Sequence, residues 1–149
     1  MLLDKIHSDL KDAQLAKDEI KTSVLRMLIS EIRYSEIKQR EGGKSELSDE
    51  EIINVVQREV KKRKEASAGF RTGGREDSAL KEEKEAEILV NYLPKQLSDA
   101  ELEIIINEAI SKTGASQISD MGKVIGMVMG KVAGQADGGR VSALVRKKF

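Results

Sequence analysis

Pro94 is the only proline in 149 residues, and it separates two blocks in which apolar side chains recur every three or four positions. A residue that precedes proline is pushed away from helical backbone. Leu93-Pro94 therefore ends one helical block and opens another. The chain reads as all-α, with an N-terminal helical domain over residues 1–93 and a three-helix C-terminal domain over residues 94–149.

Periodicity and caps locate the helices. Leu3, Ile6, Leu10 and Ala13 predict a first helix with a narrow apolar face. Val24, Leu25, Leu28, Ile29 and Ile32 predict a broader face, and so a central helix, over about 21–38. Residues 39–47 contain Gly42-Gly43 and read as a loop. Ser48-Asp-Glu-Glu51 has the form of a capping box; it opens a third helix that carries Ile52, Ile53, Val56 and Val60 and ends near 67–70. Residues 71–77 form a second loop, with Asp77 or Ser78 placed to cap a charged fourth helix running to Tyr92. Ser98-Asp-Ala-Glu101 repeats the capping box ahead of Leu102, Ile105, Ile106, Ala109 and Ile110. A turn at Thr113-Gly114-Ala115 leads to two last helices, over about 119–133 and 138–148. No strand of useful length is predicted, and no internal repeat is found.

Composition narrows the chemistry. The chain has no cysteine, which excludes disulfides and thiolate metal sites. Its one histidine, His7, has no neighbour at ligand spacing and reads as a solvated surface residue. No metal and no cofactor are implied. No Ser-His-Asp pattern or Walker-type loop stands out, and Glu82, Glu83, Glu85 and Glu87 read as the charged face of a surface helix. Lys123 and Lys131 interrupt the most apolar stretch, so no bilayer span is expected. Asp4, Lys5 and Asp9 near the start do not fit a signal peptide. The expectation is a soluble, cytoplasmic protein with no membrane partner.

Charge is balanced overall, at 26 basic against 26 acidic residues, so only its distribution is informative. From Gly114 onward, Lys123, Lys131, Arg140, Arg146, Lys147 and Lys148 face only Asp120 and Asp137, a net of +4, which leaves −4 before Gly114. Such asymmetry suits contact with nucleic-acid phosphates. Phe149 is the only aromatic residue in that stretch, so shape and backbone recognition of folded RNA fits better than base stacking. Lys61-Lys-Arg-Lys64 lies between Glu59 and Glu65 and reads as a solvated helix face. The loop over 71–77 has two open readings: Arg75, Glu76 and Asp77 order it by local salt bridges, or Arg71 and Arg75 contact a partner.

Gly122, Gly126 and Gly130 fall every fourth residue inside a helical pattern, where each costs about 1 kcal/mol relative to alanine. On a helical wheel they flank the Met121, Ile125 and Met129 stripe, with Val124, Val128 and Val132 on its other side and Lys123 just beyond the glycines. The expected local role is a close helix crossing. The alternative brings an RNA backbone against the glycines, with Lys123 and Lys131 on its phosphates. Gly134 is placed to end the helix in the left-handed conformation, and Asp137 to cap the next one. Asp137 also argues against an anion at that helix N-terminus.

Lys62-Arg-Lys-Glu-Ala-Ser67, Phe70, Gly74-Arg-Glu-Asp77 and Tyr92-Leu-Pro-Lys-Gln-Leu97 resemble the run that identifies the YqeY-like family. The Gly-x3-Gly stretch, Gly134-x-Ala-Asp137 and Val141-x2-Leu-Val145 are similar to that family's C-terminal half. They also resemble the tail domain of the B subunit of the glutamine-dependent tRNA amidotransferase, so residues 94–149 look like a GatB/YqeY-type helical domain. The resemblance implies two helical domains, the second akin to a tail that helps hold tRNA while the chemistry takes place in a separate domain that this chain lacks. The expected function is a non-catalytic, tRNA-associated module of translation. Its RNA-binding candidates are Lys123, Lys131, Arg140, Arg146 and Lys147, and Gly122, Gly126, Gly130 and Gly134 would serve close packing or backbone approach. The expected partners are tRNA or a protein of the translation or tRNA-charging machinery. The alternatives are a protein-interaction adaptor and an accessory part of a glutamine-dependent carbon–nitrogen ligase system. An enzyme label would come only through the amidotransferase resemblance.

Overall fold

In the computed structural model, which describes residues 1–40 and 46–149, seven α-helices and one short 3₁₀ turn account for the regular structure of the described residues. The helices are α1 (Leu2–Leu15), α2 (Glu19–Arg40), α3 (Asp49–Thr72), α4 (Glu76–Val90), α5 (Asp99–Thr113), α6 (Met121–Val132) and α7 (Gly138–Arg146), with the 3₁₀ turn at Ile118–Asp120. No strand occurs among the described residues. The fold is all-α. The chain divides into two compact units, Met1–Leu93 and Pro94–Phe149. The loop expected around Gly42-Gly43 lies outside the described residues.

In the first unit, local chemistry sets most helix ends. The Asp18 side chain accepts from the Lys21 amide at 3.1 Å and so opens α2. Both halves of the Ser48 capping box form: Ser48 Oγ accepts from the Glu51 amide at 3.2 Å, and the Glu51 carboxylate accepts from the Ser48 amide at 2.8 Å. Such a cap is worth about 1 kcal/mol. The apolar stripes of α1, α2 and α3 then bury Ile6, Leu25, Leu28, Ile32, Ile52 and Val56, closed off by Leu89 and Tyr92 near the end of α4. Fully burying each aliphatic side chain contributes about 1.5–3 kcal/mol.

The start of α4 differs from expectation. Helix α3 continues through Thr72, and only Gly73, Gly74 and Arg75 separate it from α4. Gly74 takes φ +75°, a left-handed conformation that glycine adopts without a Cβ penalty. Arg75, not Asp77 or Ser78, stands at the N-cap, and it makes no side-chain capping bond. Glu76 and Asp77 fall in the first helical turn instead, where the positive end of the helix dipole favours carboxylates.

The α3–α4 seam carries charge that the sequence reading left in solvent. Glu59 is 4% exposed and accepts from Arg63 Nη1 at 2.8 Å. The Arg63 side chain also reaches Met27 Sδ at 3.4 Å, and its Nε lies 3.4 Å from Glu85, within ion-pair reach but off hydrogen-bond geometry. One turn and more along, Ser67 Oγ donates to Glu83 at 3.0 Å, and Arg71 binds both Glu83 at 2.7 Å and Glu76 at 3.0 Å. The Arg71 guanidinium holds both carboxyls below their usual range. The local salt bridges of this segment are thus made by Arg71 and not within the expected trio of Arg75, Glu76 and Asp77, between whose members no ion pair occurs among the described residues. Arg75 lies over the Phe70 ring, 5.2 Å from its centroid. Arg63, Glu83 and Glu85 are corrected from solvated positions to members of a helix–helix seam.

Candidate nucleic-acid interface

The second unit is built by caps and left-handed residues placed at short intervals. Ser98 and Glu101 form a complete capping box at the start of α5, at 3.2 and 2.9 Å. Gly114 ends α5 at φ +67°. Asp120 accepts from the amides of Ser116 at 3.1 Å and Gln117 at 3.2 Å, which lowers its carboxyl below the usual range and ties the 3₁₀ turn ahead of α6. Helix α6 ends at Ala133 (φ +29°) and Gly134 (φ +86°), and Asp137 then caps α7 through the Arg140 amide at 3.3 Å. Residues 134–136 turn back against the segment before α5. There the Gln135 carbonyl accepts from the Leu97 amide at 2.9 Å, and the Gly134 carbonyl accepts from Gln96 Nε2 at 3.0 Å.

These constraints set the faces of α6. Val124, Val128 and Val132 are fully buried with Leu102, Ile106, Val141 and Val145. Met121, Ile125 and Met129 pack against that core, so this stripe is not a free docking surface. The opposite side of α6 presents Gly122, Gly126, Gly130, Lys123, Met127 and Lys131, all exposed.

The expected close helix crossing at the glycines does not form. A Cβ built on Gly122, Gly126 or Gly130 meets no atom within 4 Å. The aliphatic core of the unit is completed on the valine side, which leaves the glycine side as bare backbone. Gly134 has a different position: it is a buried turn residue with positive φ.

The five candidate cations separate by environment. Lys123 is exposed and makes no ion pair among the described residues; its charge acts on Asp120 only as a minor influence. Lys131 lies about 12 Å further along the same face, by the rise of eight helical residues. It pairs with Glu108 of α5 at 3.1 Å, with both side chains about half exposed. Arg140 is not a free phosphate ligand. Its Nε binds Asp99 at 2.9 Å and its Nη2 donates to the Leu97 carbonyl, so it clamps the first turn of α7 to the start of α5. Arg146 and Lys147 are exposed at the end of α7. Sequence reasoning missed the Arg140 clamp because Asp99 lies 41 residues away and no periodic signal links the two.

With this geometry in hand, comparison with known proteins gives the family. The profile described as "Yqey-like protein" matches residues 3–149. The chain belongs to the YqeY-like family. Among curated relatives, "Altered inheritance of mitochondria protein 41, mitochondrial" of Vanderwaltozyma polyspora is 28% identical over 123 residues, which cover 78% of this chain and 64% of that protein. The protein of the same name from Clavispora lusitaniae is 32% identical over 132 residues, covering 80% and 75%. That from Saccharomyces cerevisiae (strain YJM789) is 29% identical over 99 residues, covering 66% and 52%. The chain thus spans less than two thirds of the first of these relatives.

The names of these relatives overturn the expectation of a cytoplasmic protein. That expectation rested on polar residues near the start and on the absence of a long apolar stretch. Neither property specifies a compartment, because both describe a folded domain and not its address. Among the described residues, no helix is long and apolar enough to cross a membrane.

Proposed function

We propose that this YqeY-like protein is a non-catalytic, RNA-holding module that takes tRNA or a similarly folded RNA along the open face of α6. The observation that carries this reading is the glycine face: three exposed glycines that meet no neighbour, bordered by Lys123. Bare backbone lets a bulky, hydrated sugar–phosphate chain come close, and Lys123 supplies a point charge for a phosphate. Lys131 is available once it leaves Glu108, because an exposed ion pair is worth less than about 1 kcal/mol. Arg146 and Lys147, exposed at the end of α7, are the further cations of this reading, whereas Arg140 is left out as a structural clamp. The choice of tRNA among RNAs rests on the resemblance to the amidotransferase tail.

The test is filter binding of the purified full chain to total tRNA and to duplex DNA of matched length, over a series of salt concentrations. Preference for tRNA is expected. A K123A/R146A/K147A variant should lower the slope of log K against log salt by about 0.7–0.9 for each phosphate contact removed. Equal binding by this variant and the parent at every salt concentration would refute the assignment.

A further inference from the structure

On the other edge of α6, between α5 and α6, the surface opens into a shallow groove of about 340 Å³. Ile105, Ala109 and Val128 form its floor, Met127 and Gly130 line one wall, and Lys112 and Lys131 stand on its rim. Met127 is 41% exposed, a large apolar side chain left in water at the mouth of an apolar slot. Methionine is the side chain best able to reshape itself around an incoming apolar group.

The lining decides between kinds of occupant. It contains no aromatic side chain to stack a base and no side-chain oxygen or nitrogen acceptor. Its only polar side chains are two ammonium groups, which donate but cannot accept. A nucleobase would therefore find no stacking partner and no oxygen or nitrogen acceptor for its amino and imino groups. An open apolar groove between two helices is instead the shape filled by the apolar face of a third. The rim then selects its charge. Lys112 has no ion pair among the described residues, and Lys131 is held only by the half-exposed Glu108. A carboxylate on an incoming helix can take over Lys131 at little cost, since Glu108 returns to water.

We propose that this groove docks an amphipathic helix of a partner protein, with an apolar stripe flanked by acidic residues. The inference does not rest on RNA binding, which uses the glycine and Lys123 edge of α6. The two edges share Gly130 and Lys131, so the test is placed on Met127 and Lys112, which supply no phosphate contact in the RNA reading.

A display library of helical peptides of about 16 residues, roughly 24 Å of helix, is panned on the full chain and the selected peptides are titrated by fluorescence anisotropy. The selected peptides should combine apolar residues at i, i+4 and i+7 with glutamate or aspartate beside them. Met127→Glu should weaken them about ten-fold or more, Met127→Leu should retain them, and the tRNA salt slope should stay unchanged in Met127→Leu, which alters no charge beside Lys123 and Lys131. Should Met127→Glu reduce helicity or thermal stability, Lys112→Glu, at an exposed position, serves in its place with the same expected loss. Failure to enrich any peptide, enrichment of basic peptides, or binding indifferent to these substitutions overturns the proposal. So does displacement of the selected peptides by single-stranded RNA oligonucleotides, which would assign the groove to RNA.

Discussion

The Tyr92 hydroxyl donates to the Asp9 carboxylate at 2.6 Å, joining α1 to the residues that follow α4 across 83 positions of sequence. Lys5 completes the arrangement, 3.0 Å from Asp9 and 5.3 Å from the centre of the Tyr92 ring. The hydrogen bond from Tyr92 is the largest influence holding the Asp9 carboxyl below its usual range, and burial together with Asp9 pushes the Tyr92 hydroxyl up. Tyr92→Phe should cost about 1.5–3 kcal/mol at neutral pH, the range for a hydrogen bond to a charged group. Urea denaturation measures it; a loss below a few tenths would mean that the bond does not contribute.

The same pair sets a pH dependence. Because the folded-state pKa of Asp9 is depressed, its contribution is fully present above the unfolded value, about 3.9, and is lost as pH falls through the lower folded value. The raised Tyr92 pKa works in the opposite sense: its contribution holds below about 10 and is lost as pH climbs through the folded value. Stability measured against pH should therefore fall less steeply below pH ~4 in Tyr92→Phe than in the parent. An identical acid limb in both proteins would show that Asp9 is not held down by Tyr92.

Arg63 is the partner that makes burial of Glu59 tolerable. Arg63→Met keeps much of the side-chain volume but leaves Glu59 with only the exposed Lys62, at 3.2 Å, and removes the cation beside Glu85. Uncompensated buried charge costs about 3–5 kcal/mol. The expected result is a large drop in the urea midpoint, and partial recovery when Glu59→Gln is added. No recovery in the double variant would assign the loss to packing and not to charge.

Arg140 offers a direct contrast between a clamp and an RNA ligand. As a clamp, it should contribute to stability, and Asp99→Asn should weaken the second unit by about 0.2–1 kcal/mol, the range for a solvent-screened ion pair. As a phosphate ligand, it would bind RNA better once freed from Asp99. Thermal melts and tRNA titrations of Asp99→Asn separate these: lower stability with unchanged RNA affinity is expected, and a gain in affinity would return Arg140 to the RNA site.

Features written in adjacent residues were legible in the sequence. Pro94, the Ser48 and Ser98 capping boxes, the Gly134 helix end and the Asp137 cap each depend on a few neighbouring positions, and each recurs in the fold. Charge partners were not legible. Periodicity says that Arg63 and Glu85 lie on helices, but not that those helices turn these residues toward each other. The α4 start was misread because Asp77 and Ser78 are good caps in general, while the two glycines before Arg75 let the chain turn sooner. The same limit misled the glycine reading. A stripe of small residues identifies a face on which something could come close, and only the placement of the other helices leaves that face open.

That open face supports a prediction in which stability and function move in opposite directions. Gly122, Gly126 and Gly130 lie within the regular run of α6, none has positive φ, and an added Cβ meets nothing within 4 Å. Replacing them with alanine therefore removes backbone freedom from the unfolded chain without a clash. Each substitution should stabilise the protein by about 0.5–1 kcal/mol. Gly114→Ala is the control, since its φ of +67° makes a side chain there destabilising. If the bare backbone has no role beyond the helix, the stabilised triple alanine variant should bind tRNA as the parent does. If it is the surface an RNA approaches, three methyl groups hold the sugar–phosphate chain away, and affinity should fall while the melting temperature rises. The second outcome is expected. Unchanged affinity in a more stable protein would move the RNA contact off α6.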